Sequence, residues 1–266
     1  MSFTLHRGRV PLLVSMPHTG TEIPPDLQDG YTERALGLED TDWHLHRLYD
    51  FLPELGASVL LPQYSRYVID LNRPPDDAPM YPGASNTELC PTRFFNGDAL
   101  YRQGREPPLA ERLRRRESCW QPYHVALAEE LGRIRDEHGF ALLWDAHSIR
   151  SEIPWLFDGR LPDLNIGTAS GASADASIAE AAAAVCAASA GVTSVLNGRF
   201  KGGYITRKYG QPARHVHAVQ LEKCQSLYMQ EVAPFGYDEL LARRIQPVLQ
   251  QMVAGSLAAA YRLYGR

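Results

Sequence analysis

The stretch Phe140–Ser148, FALLWDAHS, decides the fold class. Phe140 to Trp144 form an apolar run that is too short for a buried helix and suits a fully buried strand. Asp145 and His147 follow at once. A strand that runs straight into an acid and an imidazole points to an open α/β sheet, where ligands bind outside the carboxyl ends of strands. Upstream, Pro122 opens a helical pattern to Glu137, and His138-Gly139 supplies its stop.

Further runs fit the same plan. Val10–Ser15, Ala57–Leu61, Tyr67–Leu71, Val192–Leu196 and Val216–Leu221 read as strands. Asp42–Leu55, Leu109–Ser118, Ser170–Ala190 and Tyr237–Tyr264 read as helices. Strands alternating with helices predict an α/β layered fold. The sheet should be mixed, because Ala57–Leu61 and Tyr67–Leu71 lie too close for a helical crossover. Pro74–Pro108 is irregular and rich in Pro, Asp, Asn and Gly, the composition of a functional or mobile segment such as a lid. No repeat or linker divides the chain, so residues 1–266 read as a single domain.

Composition removes several function classes. A net charge of -4 gives no basic bias toward nucleic acid. No apolar run reaches the ~20 residues of a membrane span, and no secretory signal opens the chain, so a cytoplasmic protein is expected. The four cysteines, Cys90, Cys119, Cys186 and Cys224, are scattered and form no CxxC, so they read as free thiols. Oligomeric state is not readable.

Polar residues gather where the strands end. His18 follows Val10–Ser15 within Pro17-His18-Thr19-Gly20. Asp145 and His147 follow Trp144, and Glu222 follows Leu221. Asp70 precedes Asn72-Arg73. Zinc hydrolases hold their ion with three His and carboxylate ligands. His18 and His147 suit that role, with Asp145 placed to orient a ligand. The carboxylate ligand is either Glu22, near His18, or Asp42, where Asp40 or Thr41 would cap the following helix. Glu222 emerges from an apolar run, and a buried carboxylate there suits a general base. Arg66, Arg73, Arg150 and Arg207 adjoin these motifs and suit an acidic substrate. Asn72 and Tyr204 are further polar contacts.

The segments SMPHTGTEIP, DTDWHLHRLYDF, YSRYVIDLNRP, WDAHSIRSEIPWLFDGRLPDLNIGT, GGYITRKYG and HAVQLEKCQSLYM together resemble the N-formylglutamate amidohydrolase family, from about Pro11 to Met229. The resemblance implies hydrolysis of N-formyl-L-glutamate to formate and L-glutamate, the last step of one histidine-degradation route. It also implies kinship with zinc-dependent exopeptidases and aspartoacylase-like deacylases, hence a three-layer α/β/α fold around a mixed sheet. In those relatives zinc is held by a His-x-x-Glu pair and a later His. His18 and His147 match the two histidines, but Glu22 stands one residue too far from His18. Asp42 is therefore the favoured third ligand and Glu22 the alternative. The ion is expected to be zinc or another divalent metal. Asn72 and Arg73 match the Asn-Arg that holds substrate in the relatives, and Glu222 resembles their general base. The substrate is a small acidic N-formyl amino acid. Two rival readings are a zinc deacylase or carboxypeptidase-like hydrolase of another N-acylated acidic amino acid, and a non-catalytic acidic-metabolite binding protein.

Overall fold

A computed structural model describes residues 2–80 and 87–266. Its strands are β1 (Phe3–His6), β2 (Leu12–Ser15), β3 (Ser58–Pro62), β4 (Ala141–Ile149), β5 (Leu164–Gly167), β6 (Ser194–Leu196) and β7 (Val216–Cys224). Its α-helices are α1 (Pro25–Gln28), α2 (Leu45–Leu48), α3 (Leu52–Leu55), α4 (Leu109–Arg115), α5 (Gln121–His138), α6 (Ala176–Ala188), α7 (Tyr204–Tyr209) and α8 (Glu239–Leu263). The seven strands form one sheet in the order β1-β3-β2-β4-β7-β5-β6. β3, β2, β4 and β7 run parallel, whereas β1 and β5 are antiparallel to β3 and β7. The sheet is mixed, as expected.

Alternation along the strands builds the layers. Leu142, Trp144, Ala146, Val219 and Leu221 pack with residues of α2, α3, α6 and α8. Leu143 and Ala218 face the opposite way and pack with Tyr123, Leu127, Leu131 and Ile134 of α5 and Ile205 of α7. This is an α/β/α arrangement. Each fully buried Leu or Ile adds roughly 1.5–3 kcal/mol of transfer free energy. The same parity places Asp145, His147, Gln220 and Glu222 on the α5 and α7 face.

β2 lies between β3 and β4, so the chain leaves β2 for one neighbour and returns on the other side. That reversal opens a crevice at the carboxyl ends of β2 and β4. Register sharpens the placement: Ser15 pairs with Asp145, and His147 pairs with Glu222. His147 therefore extends past the end of β2, where the chain swings out toward His18.

Several expectations need correction. β4 and β7 do not stop at Trp144 and Leu221 but continue through Ile149 and Cys224, so Asp145, His147 and Glu222 sit within strands. Tyr67–Leu71 is not a strand. Ser65 and Asp70 turn the chain there, with Tyr67 N donating to Ser65 Oγ at 3.2 Å and Asn72 N donating to Asp70 Oδ1 at 2.8 Å. Asp42–Leu55 is two one-turn helices: His44 at a φ of 61° precedes the first, Tyr49 leaves the helical region at φ -102° and ψ 33° after it, and Gly56 at a φ of 80° ends the second. Neither Asp40 nor Thr41 caps α2, whose N-cap is His44. Asp40 instead binds Arg150, Tyr67 and the Phe95 amide. The Ser170–Ala190 helix starts at Ala176, behind the Asp175 cap. β1 and β5 had no clear apolar pattern. Within the Pro74–Pro108 stretch, residues 81–86 lie outside the described residues. Part of the rest is packed: Leu89, Cys90, Phe94 and Leu100 are buried, and Asp70 N donates to Leu89 O at 2.7 Å, while residues 76–79 and 102–106 are exposed.

Candidate active site

The loop after β2 is built to hold His18. Thr19 Oγ1 and N both return to the Met16 carbonyl, and the His18 carbonyl accepts from Asp42 N at 3.0 Å. Gly20 touches the next loop so closely that a Cβ would stand 2.1 Å from the Tyr64 carbonyl oxygen. Gly20→Ala should therefore displace the histidine loop, costing about 1–3 kcal/mol of stability as overpacking does. A melting curve checks this, and an unchanged midpoint would refute the close approach.

His18, Asp42 and His147 converge, and all three are buried. His147 Nδ1 lies 3.1 Å from His18 Nδ1 and 3.2 Å from Asp42 Oδ2, and the third side, His18 Nδ1 to Asp42 Oδ2, is 3.6 Å. Ligand bonds of 2.0–2.1 Å in a tetrahedron put donor atoms about 3.3 Å apart, so this triangle fits a small divalent ion. Asp42 Oδ2 also accepts from Ser148 N. Glu22 is elsewhere: it is exposed and accepts from Gln63 Nε2.

The outer partners orient both rings. His18 Nε2 donates to Asp70 Oδ1 at 2.7 Å, which leaves its Nδ1 lone pair facing the triangle. Asp70 also accepts from Arg66 Nη2 at 2.7 Å. Burial would raise the Asp70 carboxyl, but His18 and Arg66 outweigh it and hold it well below the usual range. His147 Nε2 is 3.2 Å from Asp145 Oδ1, within ion-pair reach though not aligned as a hydrogen bond. Asn72 Nδ2 lies 3.1 Å from the same nitrogen, while Asn72 Oδ1 accepts from Ile205 N. Burial opposes charge on His147, yet Asp145 and Asp42 prevail and raise it to about 10. Without metal, a proton on His147 Nδ1 therefore stands where the three donor atoms meet.

Glu222 is buried, and its Oε1 has no hydrogen-bond partner among the described residues. Burial pushes its carboxyl up to about 8. On the other sheet face, buried Lys223 donates from Nζ to the His147 carbonyl at 2.6 Å, bracing the strand behind the imidazole.

His18, Arg66, Asn72, Arg73, His147 and Glu222 line one cavity of ≈ 190 Å³, with Phe95, Ile149, Leu156 and Phe200 as apolar walls. A larger cavity of ≈ 480 Å³, by Arg9, Tyr49 and Leu61, holds none of these groups. Arg73 binds the Thr87 carbonyl and hydroxyl. Three sequence candidates do not line the site cavity. Arg150 pairs with Asp40 at 2.9 Å, Tyr204 packs by Trp120 and His124, and Arg207 donates to Gly202 O. Sequence reasoning missed the pairing of Asp70 with His18, although Asp70 stands in the quoted YSRYVIDLNRP segment. It also missed Arg199, which no motif marks, and Gln220, which stands in the quoted HAVQLEKCQSLYM segment two residues before Glu222 on the same strand; both line the cavity.

Residues 10–229 match the family model described as N-formylglutamate amidohydrolase. N-formylglutamate deformylase of Pseudomonas putida is 54% identical over 263 residues, covering 99% of this chain and 98% of that protein. N-formylglutamate deformylase of Pseudomonas aeruginosa is 57% identical over 252 residues, covering 95% and 94%. Among solved structures, the N-formylglutamate amidohydrolase of Ralstonia eutropha JMP134 has a TM-score of 0.81 at 23% identity, with 99% and 98% of the two chains covered. An Agrobacterium tumefaciens gene product has a TM-score of 0.73 at 20% identity, with 97% and 95% covered. These two structural likenesses establish the fold, and the sequence matches go further: the chain belongs to the N-formylglutamate amidohydrolase family.

Proposed function

We propose that the chain hydrolyses N-formyl-L-glutamate to formate and L-glutamate, as a metal-dependent deformylase serving histidine degradation. The names of the two Pseudomonas relatives support the substrate. The observation that carries the chemistry is the meeting of two imidazole nitrogens and one carboxylate oxygen beside an unpartnered, buried glutamate. His18, Asp42 and His147 would hold the ion, and this nitrogen and oxygen donor set suits zinc. Such an ion supplies Lewis acidity, polarising the formyl carbonyl and making water more acidic.

The remaining work falls to side chains. Glu222 takes the proton of the attacking water and passes it to the departing nitrogen. Its carboxyl, raised to about 8, is matched to both halves of that transfer near neutral pH. Asp70 and Asp145 fix the two rings, so that Nδ1 of each faces inward. Arg66 and Arg73 present guanidinium groups to the substrate α-carboxylate, and Asn72 contributes its amide. The cavity is small, which favours a formyl over a bulkier acyl group.

Metal analysis paired with formate release tests the proposal. Purified protein should carry about one divalent ion per chain, and thorough chelation should abolish formate release from N-formylglutamate until metal is restored. Release that survives chelation would overturn the metal role, and no release at all would overturn the substrate.

A further inference from the structure

Arg199 has no part in the roles above, yet its side chain lines the same cavity as His18 and Glu222. The guanidinium lies 5.3 Å from the Phe157 ring centroid and 6.0 Å from that of Phe200, and it donates to the Leu156 carbonyl. Among the described residues it forms no ion pair with a carboxylate. Arg66 differs: it is buried, 2.7 Å from Asp70 and 3.9 Å from Asp42. Acids within the site thus offset much of the Arg66 charge, whereas Arg199, exposed to solvent at the cavity wall, meets no carboxylate among the described residues.

Glu222 lines the cavity, and Asp42, Asp70 and Asp145 lie buried against its histidines, each within 3.2 Å of His18 or His147, so acids gather at that end. An anionic substrate needs a compensating cation away from that end. Phe95, Ile149, Leu156 and Phe200 give the cavity apolar walls suited to methylene groups. The spacing is bounded by the chain. Gly203 abuts Asn72 so closely that a Cβ would stand 2.2 Å from Asn72 Nδ2, and that nitrogen is 3.1 Å from His147 Nε2. Arg199 is four residues earlier, a reach of at most about 14 Å.

We infer that Arg199 receives the side-chain carboxylate of the substrate, and that this contact sets a preference for N-acylated dicarboxylic amino acids over their neutral amide analogues. The inference deepens the deformylase reading and rests on it. Arg199→Met keeps an apolar stem over Phe157 and Phe200 but removes the charge. For N-formylglutamate, KM should rise about 10- to 100-fold, the usual weight of a charge-assisted contact, with kcat changed only a few-fold. KM for N-formylglutamine should hardly move. Arg199→Lys should recover part of the loss, because a point charge remains. Equal rises in KM for both substrates, or none for either, would overturn the assignment. Calorimetric binding of glutarate and its monoamide separates this failure from that of the deformylase reading. If the parent releases no formate from N-formylglutamate, the deformylase reading fails. Weaker glutarate binding by the variant, with the monoamide unchanged, still supports the subsite, and equal affinities reject it.

Discussion

Glu222→Gln should lower kcat for formate release by about 10²- to 10⁴-fold, the range that general acid–base groups supply. Metal content should stay at the parent level, because Glu222 is not one of the three converging donors. The variant should melt no lower than the parent above pH 8. Burial raises the Glu222 carboxyl to about 8, so ionising it in the folded state is costly, and a neutral amide escapes that cost. Loss of turnover with metal and fold intact separates proton transfer from a structural role. A near-normal rate would remove Glu222 from the chemistry, and loss of metal would make it a ligand.

What was legible in the sequence depends on where the physics is local. The Phe140–Trp144 run is buried on both faces, so its unbroken apolar content marks it, whereas Val216–Leu221, interrupted by His217 and Gln220, alternates only weakly. Their continuations were not legible. DAHSI and EKC look like loop, but neighbouring strands satisfy their backbone, and His147, Ser148 and Glu222 line a cavity. Tyr67–Leu71 failed for the opposite reason. Its composition is strand-like, yet Ser65 and Asp70 compete for the backbone and turn it. The two histidines were visible because each follows an apolar run. The spacing of Glu22 from His18 already favoured Asp42, but what holds Asp42 there is a tertiary contact, the bond from Asp42 N to the His18 carbonyl, which no spacing encodes. Arg199 stands on a loop before Gly202-Gly203, and only the folded chain turns it toward Phe157.

Metal affinity should rise with pH by about one log unit per pH unit from 6 to 9, because one proton must leave for the ion to enter. The proton is that of His147, raised to about 10 in the metal-free chain by Asp145 and Asp42 against the effect of burial. The same shift fixes the sign for stability. A histidine whose folded value exceeds its usual 6.5 stabilises the metal-free fold below about 6.5, and that contribution is lost as pH rises toward 10. Glu222 acts in the same direction: its carboxyl is raised from 4.5 to about 8, so its contribution is lost across that interval. Asp70 is depressed, so its contribution is lost only in acid, below this window. Metal-free protein should therefore melt progressively lower from pH 6 to pH 9, while an ion bound by Asp42 and the two histidines replaces the His147 proton and removes that share of the dependence. The gap in melting temperature between metal-loaded and chelated protein should widen with pH, as calorimetry at fixed free metal would record. A constant gap would mean that no proton is exchanged on loading, and His147 would then not be a ligand through Nδ1.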